Sequence, residues 1–102
     1  MALINIDSVL RDVIRDIRAI EPPGGIELLS YKRNRTIALI RQQGNGLLLR
    51  ENGYRKRELQ LTLDDFSKPL KKMIKHEFPR SRKVRVMKFS DPEELDRIHQ
   101  KI

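Results

Sequence analysis

Between residues 26 and 63 turn-forming residues cut the chain into short apolar segments, and this punctuation constrains the fold more than any other feature. Lys32-Arg33-Asn34-Arg35, Gly44-Asn45-Gly46 and Asn52-Gly53 each interrupt a run of aliphatic or β-branched residues. Asn-Gly is also the dipeptide that most favours a tight hairpin. Four β segments result: residues 26–31, 36–41, 47–50, and a last one ending at Leu63. In that last segment Leu59, Leu61 and Leu63 alternate with Glu58, Gln60 and Thr62. A period of two turns one set toward a core and the other toward water. Strands joined by turns this short pair antiparallel, so the segments predict a meander.

Helical spacing flanks the meander. Val9, Leu10, Val13, Ile14 and Ile17 recur on one helical face, with Asp7 or Ser8 as the cap and Pro22-Pro23-Gly24-Gly25 as the stop. Arg11, Asp12, Arg15 and Asp16 give that helix a solvated face of mixed sign. A second helix is predicted to start near Ser67, which puts Pro69 in the first turn where its missing amide hydrogen costs little. Leu70, Met73, Ile74 and Phe78 are its buried stripe, and Pro79 ends it. Residues 83–89 read as a fifth strand with Val84 and Val86 on one face. Ser90-Asp91-Pro92-Glu93-Glu94 opens a last helix, whose apolar side is Leu95, Ile98 and Ile102. The prediction is one α+β domain over residues 1–102. An antiparallel meander of about four strands is packed by the N-terminal and central helices, with a C-terminal strand and helix, and the helices cover one sheet face.

Charge is distributed unevenly. The 102 residues hold 22 Lys and Arg against 14 Asp and Glu, net +8. Seventeen of those cations, with only five acids, fall between residues 32 and 88, and the two ends are slightly acidic. Such a block points to a polyanionic partner. The absence of cysteine excludes disulfides, thiolate catalysis and cysteine-held zinc. The first residues are too short and too little charged for a signal peptide, and no apolar run approaches membrane-spanning length. A cytoplasmic protein without membrane contact is expected.

Lys68, Lys71, Lys72 and Lys75 follow one another at helical steps, so they form a single stripe opposite Leu70, Met73 and Ile74. Like charges one turn apart repel by a few tenths of a kcal/mol, which a bound polyanion relieves. An ordinary solvated lysine face would have the same spacing. Three further clusters accompany the stripe: Lys32, Arg33 and Arg35 in a turn; Arg55, Lys56 and Arg57 after Asn52-Gly53; and Arg80, Arg82, Lys83 and Arg85 between the second helix and the fifth strand. Glu51 and Glu58 can neutralise part of the second cluster. Of the five aromatic residues, Phe66, Phe78 and Phe89 suit the core. Tyr31 and Tyr54 each precede a basic cluster; packing against a sheet edge is expected for them, and stacking on a base is the alternative. Recognition then rests on phosphates and helical shape, with little sequence discrimination.

The succession of a helix, antiparallel strands and a helix bearing Lys71-Lys72-x-x-Lys75 looks like the double-stranded RNA-binding domain, whose second helix presents a similar lysine pattern to phosphates. The likeness is one of layout and spans at most residues 7–78. In place of that family's Gly-Pro-x-His loop the chain has Lys32 to Arg35, a fourth strand precedes the second helix, and the part from Lys83 onward has no counterpart. His76, beside the lysine stripe, reads as a surface residue, and His99 as packing on the last helix. A metal-dependent nuclease would need carboxylates to converge, for which Glu58, Asp64 and Asp65 are the candidates, although helix capping accounts for the two aspartates. No phosphate-binding glycine loop is present, because Gly44-x-Gly46 lacks the following lysine and helix. The sequence thus predicts a non-catalytic nucleic-acid-binding module, RNA before DNA, with no cofactor or metal. The alternative is an interaction module that binds an acidic protein surface in a larger assembly.

Overall fold

The computed structural model describes residues 2–93. Two helices and six strands follow in the order β1 (Ala2–Asn5), α1 (Ile6–Ala19), β2 (Gly25–Leu29), β3 (Thr36–Arg41), β4 (Gly46–Asn52), β5 (Lys56–Thr62), α2 (Ser67–Glu77) and β6 (Lys83–Phe89). The strands form one antiparallel sheet in the order β1-β6-β2-β3-β4-β5. The meander β2 to β5 is the predicted one. Two corrections concern its flank. The sheet has six strands, because Ala2–Asn5 is itself a strand, and β6 is an interior strand between β1 and β2. The part of the chain without a counterpart in the double-stranded RNA-binding domain therefore lies inside the sheet. The predicted last helix, from Glu94 on, and His99 lie outside the described residues.

The early strand also moves the start of α1. Its cap is Asn5, whose side-chain oxygen accepts from Asp7 N at 2.9 Å, in place of Asp7 or Ser8. Ile6 N donates to Arg82 O at 2.8 Å, so the chain leaves the sheet edge and enters the helix without a loop. At α2 the start is as predicted, with Pro69 in the first turn, but Asp65 bonds elsewhere: its Oδ1 accepts from Thr62 N at 2.7 Å and closes the preceding turn.

Strand alternation sorts the two faces. Ile26, Leu28, Ile37, Leu39, Leu47, Leu49, Val84 and Val86 point toward the helices. They pack with Val9, Val13 and Ile17 of α1, with Leu70, Met73 and Ile74 of α2, and with Phe66 and Phe78. The opposite face carries a smaller cluster of Ala38, Ile40 and Phe89, flanked by Leu48 and Met87. Register between β4 and β5 is marked by two cross-strand ion pairs on opposite faces. Arg57 Nε meets Glu51 Oε1 at 3.1 Å on the helix side, and Arg50 Nε meets Glu58 Oε1 at 3.0 Å on the other.

Arg41 joins sheet to helix. Its position on β3 faces the core, and its Nη1 donates to the carbonyls of Ile20 at 2.8 Å and Ile17 at 3.1 Å, while Nη2 reaches Gly44 O at 3.4 Å. A buried cation thus adds hydrogen bonds to carbonyls at the negative end of α1. Arg41→Leu is expected to lower the unfolding free energy by about 2 to 3 kcal/mol, since it removes several hydrogen bonds from a charged donor together with its attraction to the helix end. Urea denaturation measures this, and an unchanged midpoint would show that water serves those carbonyls equally well.

Candidate functional site

One end of the sheet gathers three loops: 30–35 between β2 and β3, 53–55 between β4 and β5, and 78–82 between α2 and β6. Antiparallel topology brings them together, because Leu29 at the end of β2 pairs with Arg85 near the start of β6, and Thr36 opening β3 pairs with Asn52 closing β4. The predicted clusters thereby meet. Lys32, Arg33 and Arg35 come from the first loop, Arg55 and Lys56 from the second, and Arg80, Arg82 and Lys83 from the third. Lys68, Lys71, Lys72 and Lys75 are all exposed along α2, which ends at the same loops. Among the described residues no carboxylate is within ion-pair distance of any of these side chains. Arg57 differs: it faces the helix side of the sheet and is held by Glu51.

The loops are ordered by buried polar groups. Ser30 Oγ donates to Asn34 Oδ1 at 2.9 Å and accepts from Arg35 N at 3.2 Å, and Arg33 N donates to Ser30 O at 2.9 Å. Arg33 sits in the left-handed region at φ 62°, a strained conformation for a side chain of this size. Glu77, the last residue of α2 and fully buried, accepts from Tyr54 N at 2.9 Å and Arg55 N at 3.4 Å through its carboxylate. Its backbone oxygen accepts from Arg35 Nε at 2.7 Å. Gly53 is needed here for space, because a Cβ at this position would overlap Glu77 Oε1.

The tyrosines correct the expectation of edge packing. Tyr31 is 69% exposed and Tyr54 65% exposed. Each ring carries a guanidinium over one face, Arg85 at 4.9 Å from Tyr31 and Arg35 at 4.8 Å from Tyr54. Loop placement holds them off the sheet, and the arginine stacks fix their orientation. A cleft of about 590 Å³ lies between Arg35, Tyr54, His76, Pro79, Arg80 and Ser81. A second, of about 310 Å³, shares Arg35 and Ser81 with it and is bounded by Ser30, Tyr31, Lys32 and Asn34. His76 is half-buried, edge-on to Tyr54 at 5.9 Å, and its Nε2 is buried without a hydrogen-bond partner.

The carboxylates considered for a nuclease do not converge. Glu58 is paired with Arg50 near one end of β5, and Asp64 and Asp65 lie in the turn beyond its other end. Among the described residues, the group that does converge is Glu51, His76 and Glu77. The sequence shows these two acids only as a strand residue and a helix end, with no spacing that links them. Burial and the adjacent Glu77 raise the Glu51 pKa, outweighing Arg57. Burial opposes the charge on Glu77 as well, but the hydrogen bonds from Glu51 and from the Tyr54 and Arg55 amides hold its pKa below the ordinary value. No family model matches the chain, and neither does any curated protein or solved structure.

Linkage then gives a pH signature. The raised Glu51 contributes stability that is present below its unfolded pKa and lost as pH rises through its folded value. The lowered Glu77 contributes stability present above its unfolded pKa and lost as pH falls through its folded value. The pair supports the fold best between those two folded values, where it holds one proton. Glu51→Gln keeps a donor toward Glu77 and has no proton to lose, so the difference in stability between variant and parent is expected to favour the variant increasingly as pH rises. Denaturation midpoints from about pH 4 to about pH 8 test this, and a constant difference would contradict a shared proton.

Proposed function

We propose that the protein is a non-catalytic RNA-binding module whose interface is the loop end of the sheet together with the lysine stripe of α2. The observation that carries this reading is the convergence of three cationic loops around two exposed tyrosines, at the end where α2 delivers Lys75. The stripe from Lys68 to Lys75 spans roughly 10 Å along the helix axis, enough to follow two phosphates of a strand. Its charges have no partner among the described carboxylates, so binding a polyanion costs no existing ion pair. Lysines of this kind contact phosphates without reading sequence.

Tyr31 and Tyr54 extend the reading from duplex shape to unpaired bases. Each ring is held by a guanidinium and keeps most of its area in water, and exposed aromatic surface of this kind is the usual means by which proteins hold bases that are not paired. Arg33 supports the same view, because the turn it closes puts this position in the left-handed region, which glycine adopts without strain, and the chain carries a cation there instead.

Two measurements separate the contributions. Lys71→Glu with Lys72→Glu is expected to weaken single-stranded and duplex RNA alike, by tenfold or more near physiological salt, and to flatten the dependence of affinity on salt. Tyr31→Ala with Tyr54→Ala is expected to weaken only the single strand, by about 1 to 3 kcal/mol per stacked base. Equal affinity of the lysine variant and the parent for both RNAs would remove α2 from the interface. For Arg33→Gly, relief of the backbone strain is expected to stabilise the fold by up to about 1 kcal/mol while RNA affinity falls. A variant that is more stable and binds unchanged would leave Arg33 without a role in binding.

A further inference from the structure

We propose that Glu51, His76 and Glu77 form a binding site for a single divalent cation of the zinc class. Glu51 projects from β4 on the helix side of the sheet, and His76 and Glu77 are the last two residues of α2. One donor atom from each lies within 4.8 Å of the other two. Glu51 is 2% exposed, and its Oε1 is taken by Arg57 while its Oε2 is buried with no partner. His76 Nε2 is also buried with no partner.

Orphaned polar atoms in a protein interior call for an answer. A proton shared between the two glutamates answers Glu51 Oε2 but leaves the imidazole nitrogen unsatisfied. One cation among the three side chains answers both. An imidazole beside two carboxylates is a donor set that suits zinc. Magnesium is a poorer fit, because it prefers an octahedron of oxygens and keeps much of its water. Zinc bonds of roughly 2.0 to 2.2 Å set donor atoms about 3.4 Å apart in a tetrahedron, so the three groups need close in by no more than about an ångström and a half. His76, the least buried of them, is the side chain with room to move.

The three protein ligands leave a fourth position. The cleft that His76 lines with Arg35, Tyr54 and Arg80 would offer room for a water or an anion on the His76 side of the ion. Bound there, the ion would tie β4 to the end of α2 directly beneath the three loops. The ligands are not among the side chains assigned to RNA contact, and zinc uptake is measured without RNA, so failure of either reading is seen separately.

Calorimetric titration of chelator-stripped full-length protein with zinc chloride tests the assignment, with magnesium chloride as a second arm and thermal unfolding as a second readout. One zinc per chain is expected, with a rise in Tm of roughly 10 °C at a hundredfold excess over Kd. His76→Ala is expected to abolish both effects. Glu51→Gln retains a donor toward Glu77 and preserves the metal-free fold, and it is expected to weaken zinc at least tenfold. The proposal is overturned if the parent takes up no zinc, if His76→Ala binds as the parent does, or if magnesium binds as tightly as zinc. A parent that takes up no zinc, with Glu51→Gln gaining stability over it as pH rises, would overturn the site and assign the pair to a shared proton alone.

Discussion

Glu77 carries a carboxylate at the end of α2 where the helix dipole is negative and an acid is least favoured, and it does so without contact with water. An isolated buried charge of this kind costs several kcal/mol unless hydrogen bonds replace its hydration. Here the replacements are the amides of Tyr54 and Arg55, which the β4–β5 hairpin leaves unpaired. The acid and the hairpin therefore solve each other's problem. The same residue's backbone oxygen takes Arg35 Nε, so one position ties α2, the hairpin and the β2–β3 loop together. The relative placement of Arg35, Tyr54 and Arg55 depends on that junction, and so does the shape of the cleft beside His76.

The floor under this junction is held in register by charge as well as by apolar burial. With Glu51 opposite Arg57 and Arg50 opposite Glu58, opposite signs meet on both faces of the β4–β5 pair. A slip of one residue in one direction would set Glu51 against Glu58, and in the other Arg50 against Arg57. Either slip also turns the leucines of one strand away from the core, so two independent penalties guard one alignment. This register keeps Glu51 on the helix side, within reach of Glu77, and keeps Arg57 out of the exposed cationic set.

What the sequence revealed follows the range of the interactions involved. The meander, the start of α2 and the apolar stripes are set by neighbours within a few residues, and turn residues or helical spacing announce them. β1 was invisible because four residues carry too little pattern, and its partner β6 lies some eighty positions away. The same distance hid the true cap of α1, since Asn5 caps only because β1 ends there. Within the candidate site, the basic clusters were legible as runs, and the turns that contain them were too. The exposure of Tyr31 and Tyr54 was not, because whether a tyrosine leans on a sheet edge or stands in a loop depends on strand ends fixed only to within two residues. Glu51 was legible as a neutraliser of the hairpin cluster, which its pair with Arg57 matches, but nothing in the sequence linked it to Glu77. A buried pair of acids is the opposite of what local patterning encodes, and only the fold brings them together.

The distribution of ion pairs separates the two ends of the molecule. Along α1, Asp12 and Asp16 are shared among Arg11, Arg15 and Lys88, and the contact with Arg15 depresses the Asp16 pKa. Exposed pairs of this kind add little stability, but they cancel the field over that surface. At the loop end the chain had the same means available and did not use them: of the carboxylates closest to the loops, Glu51 is turned inward onto Arg57 and Glu77 onto backbone amides. The acids there stabilise the loops from below, and among the described residues no carboxylate lies within ion-pair distance of Lys32, Arg33, Arg55, Lys56, Arg80 or Arg82. A surface built this way keeps its geometry when the cations are neutralised from outside, because none of its internal bonds has to break. That property is what a preorganised phosphate-binding face requires.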